Sequence, residues 1–362
     1  MAGFLDRVKN NIGNFIVEGL MSHDRLLDIQ KKLLLKNDSV LLRKIMLDDQ
    51  SRVMKRVMLD NGLIKEEQLT AILEFQEHWN ILRPIIQADR EEIIKKYHAV
   101  KNGLKKKSDV KDGLLDIICE GDTVFLANGP MRFPDRHSLW ILLREILVNE
   151  DYYFETDTDS PRILDCGTHF GLAVYYFKSV FPKAEIVGFE PIEKIRHMAL
   201  ENVQRHGYSD VQILPYALHG ANEPMDFYVT DTDSMAGSLT ERRLAFGDDI
   251  HRTEVECRTL SQFLNEPVHF LKIDIEGVED IVLDEARAFL KNVQHIFCEY
   301  HHGAGLDTNR LEKILSLLGE AGFGLHLGKS FSFQKGSMNK PMTFTGKPYS
   351  MGIWGKNENW KY

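Results

Sequence analysis

Cysteines and long apolar runs are scarce in this chain of 362 residues. The four cysteines, Cys119, Cys166, Cys257 and Cys298, lie far apart and form no C-x-x-C pair, which argues against a structural zinc site and a disulfide framework. No stretch approaches the ~20 apolar residues that a helix needs to cross a bilayer. Residues 1–10 carry charges and lack the apolar segment of a secretion signal. We therefore expect a cytoplasmic protein without a transmembrane segment.

An excess of positive charge is also missing, since the formal net charge is −9. Residues 1–113 hold 21 Lys and Arg against 17 Asp and Glu, whereas the rest of the chain holds 24 against 37. Nucleic-acid affinity depends on cationic side chains that neutralise phosphates, so we expect no nucleic-acid partner. The hydrophobic fraction of 43% and the charged fraction of 27% are those of a globular protein, which excludes a disordered chain.

The first third of the chain differs from the rest in the spacing of its apolar residues. Over residues 1–113, apolar side chains recur at helical spacing, as at Val8, Ile12 and Phe15. We predict an all-helical N-terminal domain there, which packs on the next domain, pairs with a second copy as a homo-oligomer, or docks a partner. Residues 114–160 are expected to form a connecting region with a helix and a strand.

From residue 161 to residue 362, short apolar runs alternate with amphipathic segments. The predicted strands are Arg162–Cys166, Glu185–Glu190, Val211–Tyr216, Phe270–Asp274 and His295–Tyr300. The predicted helices are Gly171–Phe181, Ile192–His206, Val278–Leu290 and Thr308–Ala321. Such alternation predicts an α/β fold with a mostly parallel sheet covered on both faces. Ligands of these sheets bind beyond the carboxyl ends of the strands, so the residues after each strand are the candidates for a site.

A glycine-containing turn follows the first of these strands. The segment Ile163–Gly171 reads ILDCGTHFG, and the next strand ends in Glu190 and Pro191. A carboxylate about 20 residues after such a turn can accept hydrogen bonds from both hydroxyls of a ribose. A dinucleotide site favours G-x-G-x-x-G, with the pyrophosphate at a helix N-terminus, but this turn lacks that pattern and Asp165 would face the pyrophosphate. The pattern favours S-adenosylmethionine (SAM), which carries an ammonium and a sulfonium, and a nicotinamide cofactor is the alternative.

Carboxylates and histidines follow the later strands. The segment FLKIDIEGVE places Asp274 and Glu276 at a strand end, and the next strand ends in Glu299, His301 and His302. Carboxylates at such a position can hold a cofactor amine, take up a proton or bind a cation. We expect Asp274, Glu276 or His301 to act as the catalytic base, and a divalent metal such as Mg²⁺ is a possible further cofactor of this set.

The ordered series ILDCGTHFG, VGFEP, ALENVQRHG, ILPYALHG and FLKIDIEGVEDIVL, in the part of the chain from about Asp151 onward, resembles the FkbM family of methyltransferases. The resemblance implies a class I Rossmann-like methyltransferase fold with SAM as the cofactor. It also implies a sheet whose last strand, here Ser350–Gly355, is antiparallel. The cofactor-binding residues that it implies are Asp165, Gly167, Thr168, His169, Gly171, Glu190, Pro191, Ala217 and Leu218. His169 departs from the asparagine that is usual in the family.

The same resemblance implies O-methylation. We expect the acceptor to be a small molecule or a glycan, with a sugar hydroxyl of a bacterial surface polysaccharide or of a secondary metabolite as the leading choice. The loop Thr230–Leu239 is rich in hydroxyl and acidic side chains and is a candidate lid or substrate wall. Two other classes stay open, a nicotinamide-dependent oxidoreductase and a catalytically idle binding or scaffold protein. The presence of Asp165, Gly167 and Glu190 argues against an idle protein.

Overall fold

The structure is a computed structural model that describes residues 115, 118–126, 128–230, 234–235, 237–240, 250–302, 309–332 and 349–361. The predicted helical N-terminal domain, residues 1–113, lies outside the described residues. Among those that are described, no helix is long and apolar enough to cross a membrane.

A small antiparallel sheet and a helix precede the main sheet. The sheet is formed by strands β1 (Cys119–Glu120), β2 (Thr123–Leu126) and β3 (Gly129–Arg132). Helix α1 (Arg136–Leu142) continues as a π-helical segment, Leu143–Val148, although the apolar pattern predicts one regular helix over residues 138–148. A short π-helical segment changes the 3.6-residue spacing over only a few positions, so the apolar pattern does not reveal it.

Ten further strands and four further helices make up the rest of the described chain. The strands are β4 (Arg162–Cys166), β5 (Glu185–Phe189), β6 (Val211–Leu214), β7 (Ala217–Leu218), β8 (Pro224–Thr230), β9 (Ile250–Arg258), β10 (Val268–Ile273), β11 (Val293–His302), β12 (Phe323–Ser332) and β13 (Tyr349–Asn357). The helices are α2 (Leu172–Val180), α3 (Glu193–Arg205), α4 (Glu279–Glu285) and α5 (Leu311–Glu320).

Seven of these strands form the central sheet, in the order β12-β13-β11-β10-β4-β5-β6. Strands β11, β10, β4, β5 and β6 are parallel to their neighbours in this series, and β13 is antiparallel to both β11 and β12. The predicted class I Rossmann-like methyltransferase sheet, with its antiparallel last strand, is therefore confirmed. The strands are buried, apolar and rich in branched side chains, as expected for a sheet covered on both faces.

The register of the central strands brings their carboxyl ends level. Cys166 at the end of β4 pairs with Ile273 of β10, which in turn pairs with Cys298 of β11. The residues that follow these positions therefore meet at one edge of the sheet. One residue earlier, Asp165 lies beside Lys272.

Two helical segments replace the single helix that the sequence predicts over Val278–Leu290. Helix α4 ends at Glu285, and a 3₁₀ segment, Arg287–Asn292, follows it. The apolar pattern continues across the break because Val282 and Leu290, one in each segment, are both fully buried.

An insertion with its own small sheet lies between β6 and β10. Strands β8 and β9 pair antiparallel, and β7 pairs with β9 in parallel. The sequence predicts two short strands there, Met225–Val229 and Glu254–Cys257, and the structure confirms both with longer bounds. A small apolar cluster that includes Phe227, Val255 and Cys257 supports this sheet.

Candidate active site

A cavity of about 350 Å³ opens at the carboxyl ends of β4, β5, β10 and β11. Its size is within the range of small-molecule sites. The predicted site residues that line it are Gly167, Thr168, His169, Glu190, Pro191, Ala217, Leu218, Asp274, Glu276 and His301. Asp165 and Gly171 do not line it. We call Gly167, Thr168, His169, Glu190 and Pro191 the turn side of the cavity, and Glu145, Asp274, Glu276, Glu299 and His301 its acidic side.

The turn after β4 approaches the end of β10 very closely. Gly167 has a φ of +89°, and a Cβ atom there would lie 2.0 Å from the carbonyl oxygen of Asp274. The backbone N–H groups of Gly167 and Thr168 both donate to the carbonyl of Phe189, at 3.2 and 3.0 Å. Gly171, with a φ of +90°, starts α2. Gly171 therefore shapes the turn without reaching the cavity.

Glu190 presents a buried carboxylate at the end of β5. Its Oε1 accepts a hydrogen bond from the N–H of Ile192 at 2.8 Å, and its Oε2 accepts one from the N–H of His169 at 3.1 Å. Burial raises the pKa of Glu190 to about 7, although both hydrogen bonds act in the opposite direction. Each oxygen keeps a second lone pair, so the carboxylate can still accept from a ligand.

A buried lysine, which the sequence analysis did not single out, separates two carboxylates. Lys272 in β10 donates from Nζ to the carbonyl of Gly167 at 2.7 Å. The same Nζ lies 3.3 Å from Oδ2 of Asp274 and 3.5 Å from Oδ1 of Asp165. Burial opposes the charge of Lys272, but the two carboxylates outweigh it and raise the pKa of this lysine. The signal in the sequence is a single charge in the otherwise apolar strand FLKI.

Asp165 lies behind this lysine and is fully buried. Burial raises its pKa, while the nearby charge of Lys272 acts to lower it. Neither of its carboxylate oxygens has a hydrogen-bond partner among the described residues. This carboxylate forms an ion pair with Lys272, and the side chain of Thr168 also acts to lower its pKa. Asp165 does not line the cavity in this structure, whereas the resemblance implies that it is a cofactor-binding residue.

His301 on the acidic side is surrounded by carboxylates. Its Nδ1 lies 3.1 Å from Oε1 of Glu279, and its Nε2 lies 3.5 Å from Oε1 of Glu276 and 3.9 Å from Oε1 of Glu299. Burial acts to lower the pKa of His301, but the carboxylates outweigh burial and raise it to about 10. His301 therefore carries a proton at neutral pH.

Two glutamates on the acidic side keep their protons to unusually high pH. Burial and the charge of Asp274 raise the pKa of Glu299 to about 7. Burial and the charge of Glu299 raise the pKa of Glu145, in the π-helical segment, to about 9. Groups with a pKa near the working pH are suited to proton transfer. The sequence analysis missed Glu145 because it lies in a segment that carries no recognisable motif.

The loop between β8 and β9 borders the cavity where it is described. Ser234, Met235, Gly237 and Leu239 line the cavity. The hydroxyl of Ser238 donates to the carbonyl of Glu276 at 2.6 Å. These contacts place the described part of the predicted lid loop against the site.

Comparison with known proteins shows that this chain is a methyltransferase. The sequence model of the methyltransferase FkbM domain matches residues 165–325. The match confirms the resemblance at the level of this domain, and a methyltransferase domain of this type implies SAM as the methyl donor. The two alternative classes, the oxidoreductase and the idle protein, are not favoured.

Two curated proteins are similar to this chain. Methyltransferase 1 of Beauveria bassiana is 26% identical over 179 residues, which cover 43% of this chain and 72% of that protein. The AMB antimetabolite synthetase AmbE of Pseudomonas aeruginosa is 27% identical over 219 residues, which cover 50% of this chain but only 10% of that protein.

Solved structures with detectable similarity include two bacterial proteins. Methyltransferase FkbM from Methylobacillus flagellatus aligns over 86% of this chain and 72% of its own, with a TM-score of 0.35 and 13% identity. SMU.1697c from Streptococcus mutans, solved in complex with SAH, aligns over 54% of this chain and 89% of its own, with a TM-score of 0.32 and 11% identity.

Proposed function

We propose that this methyltransferase transfers the methyl group of SAM to a hydroxyl group. One observation carries the proposal: the turn side and the acidic side border the same cavity. The turn side offers a carboxylate and closely approaching backbone, which suit a nucleoside and an amino-acid group. The acidic side offers carboxylates with raised pKa values, which suit removal of a proton from an acceptor.

The residues present fit SAM. Glu190 has lone pairs for the two ribose hydroxyls, and Ala217 and Leu218 offer an apolar border for adenine. Gly167 and Thr168 would border the methionine part. Asp165 contributes through Lys272.

When bound, SAM supplies an electrophilic methyl group for attack by the acceptor oxygen. The part of the chain in that step is to align the acceptor and to take up its proton. We propose Glu299 as the base, because its pKa of about 7 leaves a large ionised fraction at neutral pH. Among the other candidates, His301 is already protonated and Asp274 is paired with Lys272. Glu276 stays a second candidate.

The acceptor that we propose is a sugar hydroxyl of a surface polysaccharide or of a secondary metabolite. A cytoplasmic location, a homo-oligomer formed through residues 1–113 and the absence of a nucleic-acid partner stay predictions. Mg²⁺ is an alternative proposal for the same groups, since Asp274, Glu299 and His301 each offer one ligand atom within 4.8 Å of the others. Mg²⁺ would have to displace the proton of His301, and Glu299 would then bind the ion instead of acting as the base. Loss of methyl transfer in EDTA, restored by Mg²⁺, would support it, and an unchanged rate would contradict it.

Calorimetry tests the donor. We expect SAM and its product S-adenosylhomocysteine (SAH) to bind, NAD not to bind, and Glu190→Ala to weaken SAM and SAH at least tenfold. Glu185→Ala is the matched control, because Glu185 is an exposed glutamate at the opposite end of the same strand. A folded protein that binds neither SAM nor SAH would refute the proposal. Binding without methyl transfer to any hydroxyl acceptor would favour the idle class.

A further inference from the structure

Three side chains from separate segments form a hydrogen-bonded series that ends at the cavity. Asp135 caps the N-terminus of α1, Ser234 belongs to the loop between β8 and β9, and His169 lies in the turn after β4. The hydroxyl of Ser234 lies 2.5 Å from Oδ2 of Asp135 and 2.9 Å from Nε2 of His169. No sequence motif links these positions.

The hydrogen bonds decide which nitrogen of His169 carries the proton. Burial acts to raise the pKa of Asp135, but hydrogen bonds from Ser138 and Ser234 outweigh it and lower the pKa, so this carboxylate is ionised and only accepts. Ser234 has one hydroxyl proton, which it donates to Asp135. The hydroxyl of Ser138 also lies 2.9 Å from the Ser234 oxygen, and it donates its own proton to Oδ2 of Asp135 at 2.7 Å. Toward His169 the oxygen of Ser234 can therefore only accept, so Nε2 carries the hydrogen and Nδ1 holds a lone pair.

That lone pair is buried. Nδ1 of His169 makes no hydrogen bond within the described part of the chain. Burial lowers the pKa of His169 to about 4, so the ring is neutral. The residue also adopts a left-handed backbone with a φ of +53°, which is uncommon outside glycine and is often found at functional sites. A buried acceptor without a donor costs free energy unless a ligand supplies the hydrogen.

We propose that Nδ1 of His169 accepts a hydrogen bond from the ammonium group of the methyl donor, and that Asp135 and Ser234 are positioning residues that hold the ring in the required tautomer. The inference rests on the proposed function. It follows by elimination among the groups of SAM. The carboxylate and the sulfonium have no hydrogen to donate, and Glu190 and the Ala217–Leu218 border account for the ribose and the adenine. The ammonium group has three hydrogens and belongs to the methionine part, which the turn containing His169 borders.

Two binding probes separate this contact from general packing. SAH contains the ammonium group, whereas 5′-methylthioadenosine has the same nucleoside and a thioether without the amino acid. We expect Ser234→Ala to lower the affinity for SAH about tenfold, because one hydrogen bond to a charged group contributes about that much to binding. Binding of methylthioadenosine should stay unchanged, and Ser234→Thr should restore SAH affinity. Ser316→Ala, at an exposed serine in α5, is the matched control.

Nitrogen NMR of ¹⁵N-histidine protein reads the tautomer directly. The free protein should show His169 with its hydrogen on Nε2, and SAH should shift the Nδ1 resonance. Ser234→Ala should produce a mixture of tautomers. A hydrogen on Nδ1 in the unmodified protein would overturn the inference.

Substitutions of His169 itself complete the test. His169→Asn keeps an acceptor oxygen and tolerates a left-handed backbone, so SAH affinity should fall by no more than a few-fold. His169→Leu should weaken SAH at least tenfold and leave methylthioadenosine unchanged. Equal loss of both ligands would show a packing role and refute the inference. Failure of the unmodified protein to bind either ligand would instead refute the proposed function.

Discussion

Main-chain atoms shape most of the turn side of the cavity, whereas ionisable side chains shape the acidic side. On the turn side, Gly167 and Thr168 are tied to β5 by backbone hydrogen bonds. On the acidic side, the pKa values of Glu299 and His301 are set by burial together with the charges of their neighbours. Backbone geometry admits few substitutions of any kind, but it changes little with pH. A cluster of coupled charges keeps its shape when one member is replaced by an isosteric residue. The pKa values of its members, however, change strongly when one partner is lost, and its charge state depends on pH.

The largest effect is expected from Gly167→Ala on the turn side. Its Cβ would lie 2.0 Å from the Asp274 carbonyl, a backbone atom that cannot move aside without shifting β10. We expect loss of SAH binding by calorimetry and a large drop in thermal stability. Gly207→Ala is the control, because Gly207 also has a positive φ, +68°, but nothing within 4 Å of the added atom. Gly207→Ala should lower the free energy of unfolding by only about 1–2 kcal/mol, which is the strain of a left-handed backbone at a residue with a Cβ atom.

Removal of the buried lysine should have the next largest effect. Lys272→Met leaves Asp165 and Asp274 without their shared cation, and breaking a buried pair costs about 3–5 kcal/mol. Burial already raises the pKa of Asp165 in the folded state, and loss of Lys272 raises it further. A carboxyl group whose pKa is higher in the folded than in the unfolded protein favours the folded state at a pH below the unfolded pKa. This contribution to the free energy of unfolding is lost as the pH rises. The free energy of unfolding of Lys272→Met should therefore fall from about pH 4 upward, relative to the unmodified protein.

A second substitution tests that explanation. Asp165→Asn added to Lys272→Met removes the unpaired charge, so urea unfolding should show partial recovery of stability and a flatter pH profile. Lys178→Met is the matched control, since Lys178 is also buried but pairs with the half-exposed Asp210. If the double variant is no more stable than Lys272→Met, the lysine stabilises the site through Asp274 and the carbonyl of Gly167 and not through Asp165.

The sequence predicted the turn side more completely than the acidic side. The bounds of β4 were predicted to the residue, because its apolar residues lie between Pro161 and the glycine turn that begins at Gly167. Lys272 was missed because only one of its two carboxylate partners, Asp274, is near in the sequence. The other, Asp165, lies more than a hundred positions away and becomes adjacent only through strand register. Glu145 was missed for the same kind of reason: it meets Glu299 only in the folded chain.

Glu299→Gln tests the proposed base on the acidic side. A general base contributes about 100- to 10,000-fold to the rate, so kcat should fall within this range. Ionised Glu299 is the active form and its pKa in the free protein is about 7, so kcat/KM of the unmodified enzyme should rise with pH through that value. The variant should lose this rise while it still binds SAH. If the rate of Glu299→Gln still rises with pH near pH 7, another carboxylate is the base, and Glu276 is the first to test.

The smallest expected effect concerns pH on the turn side, where Glu190 is the carboxylate that we assign to the ribose. Its pKa in the free protein is about 7, and a ribose is accepted best by the ionised form. SAH affinity should therefore be about tenfold lower at pH 6 than on the plateau above pH 8, because only about a tenth of the carboxyl group is ionised at one pH unit below its pKa. Calorimetry of Glu190→Gln should give weaker binding with a flat profile over the same range. If the variant keeps the slope, the pH dependence of SAH binding comes from the acidic side, and the two sides of the cavity are electrostatically coupled.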